Sequence, residues 1–151
     1  MVEPERSQPR FNLLLSIWAG FLAFEAGALV VCIGLELDAS RLITGWDGAM
    51  VWARFQHFIL PICLVLTVPG ALLRMMLGLM FQRPRRVALT TGAGIGLAGA
   101  VYIIAADRMG AAAAMPVLAW GLLAGLAGGW VWWRVEKPWL ERHAPSAAPA
   151  P

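Results

Sequence analysis

Four ionisable side chains stand inside or at the edge of strongly apolar stretches of this sequence: Glu25, Arg54, His57 and Arg74. A charge in a low-dielectric setting must be paired, neutralised or wetted, so such groups are the first candidates for proton or ion handling. Glu25 is the sharpest of them, because a desolvated carboxyl can bind a proton or a cation. The simpler role is a hydrogen-bonded carboxyl, or half of an ion pair, that fixes helix register. His57 divides the same way, between a proton shuttle or metal ligand and a ring bonded to a neighbour. At helical rise, Glu25 lies roughly 15 Å and His57 roughly 10 Å below one boundary of the apolar runs. Arg54 precedes His57 by one turn, Tyr102 lies nearer that boundary, and Trp120 lies at a depth like that of His57. A polar cluster of Glu25, Arg54, His57, Tyr102 and Trp120 opening to one side is therefore expected. A register in which the second span begins only after Arg54, with its core over 55–73, makes His57 interfacial and dissolves the cluster.

Other chemistry finds little support. The only other histidine, His143, sits near the end of the chain, so two histidines cannot hold a haem between helices. Cys32 and Cys63 form no Cys-x-x-Cys, and their depths along the apolar runs differ by more than the ~7 Å a disulfide spans. No set of four ligands for zinc can be assembled, and Met75, Met76 and Met80 beside Arg74 read as adaptable filler. No Ser-His-Asp set or aspartate pair on facing helices is available. Residues 94–99, Gly-Ile-Gly-Leu-Ala-Gly, match the dinucleotide-binding spacing, but that motif needs a preceding strand and this one lies within an apolar run. The expectation is no catalytic residues, no metal and no cofactor.

The elements that carry these residues follow from composition. The chain has 151 residues, of which 60% are hydrophobic and 14% charged, against about 45–50% and ~25% in soluble domains. Its mean hydropathy is +0.69. Lipid must solvate part of that surface. A bilayer core requires ~20 apolar residues per helix, and four runs approach this, at about 11–35, 50–81, 87–106 and 111–133. Unpaired backbone groups are not tolerated in lipid, so the runs are read as helices. The fold class expected is an all-α integral membrane protein with a four-transmembrane-helix bundle.

Basic residues set the orientation. Arg6 and Arg10 precede span one, Arg74, Arg83, Arg85 and Arg86 fall between spans two and three, and Arg134, Lys137 and Arg142 follow span four. On the other side Arg41 and Arg108 are diluted by Glu36, Asp38, Asp47 and Asp107. Both termini are expected in the cytoplasm of a bacterial cell, with the protein in the inner membrane. Residues 1–10 form a cytoplasmic segment without a cleavable signal, and 134–151 an Ala/Pro-rich cytoplasmic tail. The arginine-rich loop at 82–86 is read as this topology signal, and no nucleic-acid partner is expected.

Between apolar helices in lipid, small residues permit close backbone approach. Span three offers Gly92, Gly96 and Gly99, and span four offers Gly121, Gly125 and Gly128, which together suggest a tight hairpin across 107–110. In span one, Gly20, Ala23, Gly27 and Gly34 share a stripe almost opposite Glu25. Such a two-faced helix is sandwiched either between its own bundle and a second chain or wholly within the four spans. The first arrangement points to a membrane-protein partner or homo-oligomer, hence to a non-enzymatic accessory, assembly or immunity partner of another membrane protein. A small transporter or channel with Glu25 as proton or cation site is the alternative. A quinone- or lipid-binding subunit using Trp120, Tyr102 and His57 is a third.

Overall fold

The computed structural model describes residues 12–38, 45–80 and 84–143. Residues 1–10 and 144–151 of the expected terminal segments lie outside these. The described residues form five helices and no strand: α1 (Leu13–Asp38), α2 (Gly45–Arg54), α3 (Gln56–Met80), α4 (Pro84–Ala106) and α5 (Ala111–Arg142). Four of them, all but α2, are long and apolar enough to cross a membrane.

Local signals account for the helix ends. The Asn12 side chain accepts the Leu15 backbone N–H at 3.2 Å and caps α1. α4 stops where Arg108 enters the left-handed region, φ 51°. There the Met109 N–H reaches back to the Ile104 carbonyl at 3.1 Å, as in a Schellman ending without its usual glycine. Gly110 then starts α5, its carbonyl accepting the Ala114 N–H at 3.0 Å.

Two spans differ from the sequence expectation. The run at 50–81 is broken at Phe55, so that α2 ends at Arg54 and the second span begins at Gln56. This is the register in which His57 stands at the start of the span. It also leaves Cys63 only seven residues, about 10 Å, below that start, and Cys32 and Cys63 line one common cavity. The depth argument that separated them does not apply in this register, although the two form no disulfide. The last span does not stop at 133 but continues as helix to Arg142.

The bundle is small inside and large outside. Its buried apolar residues include Ala19, Ala23, Ala71, Ala88, Ala100 and Ala124, whereas Leu14, Val65, Met76 and many other large side chains are exposed. Between 17% and 28% of the most apolar stretch of each span is buried. An interior of alanine and glycine with leucine outside is what lipid solvent selects, because hydrophobic transfer gives no preference there and close approach does.

α5 lies between α4 and α1, and α1 is flanked on its other sides by α3 and α2, while α3 touches α4 only lightly. The two-faced span one is thus sandwiched within its own chain. α4 and α5 form the expected hairpin, packed so closely that a Cβ on Gly92 would meet the Gly125 carbonyl and one on Gly96 the Gly121 carbonyl. Gly128 faces the Ala23 carbonyl of α1 and Gly27 the Ala124 carbonyl of α5. Gly99 does not belong to this contact, since a Cβ there meets nothing within 4 Å. The third member of the α4 stripe is Ala100, whose Cβ lies against Gly121. The contact follows the slanted i±4 ridge of α4, Gly92, Gly96 and Ala100, and not the axis-parallel stripe that Gly99 would continue.

Candidate functional site: an apolar groove closed by an ion pair

The five residues of the expected cluster are not gathered. Glu25 Oε2 accepts the Trp52 indole N–H at 3.2 Å and the Gln56 amide at 3.1 Å. Neither hydrogen bond nor ion pair joins it to Arg54, His57 or Tyr102. Arg54 is exposed at the end of α2. The exposed His57 ring contacts the Arg54 carbonyl through Nδ1 at 3.1 Å and lies 4.0 Å from the Phe58 ring. Tyr102 is 74% exposed on the outer face of α4. Trp120 packs over Gly34, where any Cβ would collide with its ring. The break at Phe55 is the cause: it turns Trp52 and Gln56, rather than Arg54 and His57, toward α1.

Glu25 therefore ties α1 to α2 and α3. Glu25→Gln keeps an acceptor oxygen for both donors and is expected to change stability little. Glu25→Ala leaves the two donors unmet and costs about 1–3 kcal/mol. Detergent unfolding curves of the two variants, followed by Trp fluorescence, check the contrast.

The strongest polar constellation involves a residue that the sequence reading placed in the tail. Glu136, on the continuation of α5, is 2% exposed and Arg74 of α3 is 0% exposed. Arg74 Nη2 donates to Glu136 Oε2 at 3.1 Å and to the Pro84 carbonyl at 3.1 Å. Glu136 Oε1 accepts the Ser16 hydroxyl at 2.7 Å and the Trp132 indole N–H at 3.0 Å. One point thus joins α1, α3, α5 and the first residue of α4. Three signals pointed to it: an arginine inside an apolar run, a serine in span one, and an acid one turn beyond a tryptophan at i, i+4 spacing. A span that ends at 133 leaves Glu136 outside the bundle, whereas the helix continues to Arg142.

Above this lock lies a cavity of about 750 Å³ between α1, α3, α4 and α5. It exists because α3 and α4 barely touch. Their side of the bundle is open, while α5 and α1 supply a floor of small residues such as Ala124 and Gly128. Its walls are aliphatic, for example Ile62 and Leu66 on α3 and Ile95 and Ile103 on α4. Among the described residues Asp107 is its only charged lining residue, at the end by the α4–α5 turn. Trp132 bounds the other end, its ring wedged against Gly20 and Gly70 and its N–H held by Glu136.

No protein-family model, curated protein or solved structure matches the chain. Among the described residues no group of three or more His, Cys, Asp or Glu side chains is placed to hold a metal ion. The chemistry available in the groove is binding by shape, with one carboxylate at its mouth.

Proposed function

We propose that this chain is a non-enzymatic, multi-pass lipid-binding protein of the bacterial inner membrane, with both termini cytoplasmic, and that it holds the apolar chain of a membrane lipid in the groove between α3 and α4. The groove itself carries the reading: a long aliphatic cleft, open sideways to the bilayer, between two helices that could have closed on each other. Its volume lies within the ~300–1,000 Å³ of small-molecule sites. The arginines that flank the spans support the orientation. The two faces of span one are both covered within this chain, and Glu25 Oε2 is engaged by Trp52 and Gln56. Lipid binding therefore draws more support from the geometry than docking to a partner or ion transport does.

Gly99 supplies the test. It lines the groove, and a side chain added there meets nothing within 4 Å. Gly99→Phe fills the cleft without disturbing the α4–α5 contact. Gly94, equally open but outside the groove, provides the control in Gly94→Phe. Native mass spectrometry of protein extracted in mild detergent is expected to show a retained lipid for the unmodified chain and for Gly94→Phe, with occupancy at least tenfold lower for Gly99→Phe. Equal occupancy in all three would end the proposal.

A further inference from the structure

The shape and charge of the groove narrow its occupant, on the premise that the cleft binds lipid at all. From Val117 to Trp132 the floor helix rises about 22 Å. The cleft is long in one direction and its walls are aliphatic, which suits hydrocarbon.

The two ends are not equivalent. At the Trp132 end the Arg74–Glu136 pair, Ser16 and the indole bond to one another and close the bundle. At the other end Asp107, exposed and one residue past the carboxyl terminus of α4, lines the cavity, and the helix dipole adds to its negative charge. Arg108 follows it directly in the turn. Lipid tails outside the protein are as apolar as the groove, so transfer of the chain gives no selectivity. Selectivity must come from the head, and a carboxylate at the mouth selects a cation.

We propose that the groove seats an acyl chain of a zwitterionic aminophospholipid, with its ammonium group on Asp107, its phosphate beside Arg108, and its chain end toward Trp132. The lipid is drawn from the leaflet at the α4–α5 turn.

The full-length protein in nanodiscs of equal phosphatidylethanolamine and phosphatidylglycerol tests this by native mass spectrometry after gentle release. The unmodified chain is expected to retain phosphatidylethanolamine in preference. Asp107→Asn lowers the ratio of the two retained lipids about threefold, the scale of an ion pair at a wet boundary, and Asp107→Glu restores it. Phosphatidylethanolamine carrying a photoactivatable group at the chain terminus labels the stretch from Ala124 to Trp132, whereas a group beside the glycerol labels Ile103, Met109 or Val117. A ratio unchanged in Asp107→Asn, or terminal labels at Ile103 and Val117, overturns the assignment of head and direction. Failure of the unmodified chain to retain any lipid overturns the broader lipid-binding reading with it.

Discussion

Replacing Glu136 by alanine is expected to destabilise the bundle by about 3–5 kcal/mol, the range for removing one member of a buried ion pair. The variant leaves the fully buried Arg74 guanidinium without its counter-charge and the Ser16 hydroxyl and Trp132 N–H without their acceptor. The desolvation of Arg74 dominates the loss, so removing both charges in Arg74→Met/Glu136→Met recovers most of it, as hydrophobic replacement of buried pairs often does. Lys137→Ala, which breaks the 3.5 Å Lys137–Glu141 pair on the exposed face of the same helix, is expected to cost about 0.5 kcal/mol or less. Reversible unfolding in mixed detergent micelles, or steric trapping in bicelles, measures all three. A loss below about 1 kcal/mol for Glu136→Ala, on the scale of an exposed pair, would mean that water reaches the site and that it does not hold the four spans together.

Gly96→Ala carries the second large effect, and its sign is opposite to that expected for the same change two residues earlier. The new Cβ at Gly96 points at the Gly121 carbonyl and lies within 2.9 Å of the Gly125 backbone. Neither can move without separating α4 from α5. Overpacking of this kind costs about 1–3 kcal/mol, and more where the obstacle is main chain. Gly94→Ala meets open space and gains up to about 1 kcal/mol from helix propensity alone. Thermal inactivation of the two variants in detergent is expected to move in opposite directions. Parallel shifts would indicate that the glycines matter for their helix propensity and not for contact.

Both predictions concern places where charge or close packing stands in for the hydrophobic drive that lipid removes. The Arg74–Glu136 pair anchors one end of all four spans, and the glycine seam zips α4 to α5 along their length. What remains unzipped is the α3–α4 side, where the groove opens. A bundle built this way is packed on three sides and leaves a cleft on the fourth, which is what the proposed lipid site requires.

The four apolar runs, the hairpin turn at 107–110 and most of the glycine seam were legible from residue types, because lipid imposes length, helicity and small contact residues on any chain that crosses it. Periodicity placed Gly92 and Gly96 correctly, but it favoured Gly99 over Ala100, because the contact with α5 follows the slanted i±4 ridge and not the helix axis. Depth counting failed wherever a helix end was misjudged: the break at Phe55 moved Arg54 and His57 away from Glu25, and the unbroken helix past 133 carried Glu136 into the core. Which of two neighbouring residues faces inward, and which charge meets which, depends on where helices start and how they lean on each other. Those are properties of several segments at once, so tertiary structure alone settled the ion pair, the partners of Glu25 and the gap between α3 and α4. Hydropathy is local to each segment, and it was enough to indicate four crossings.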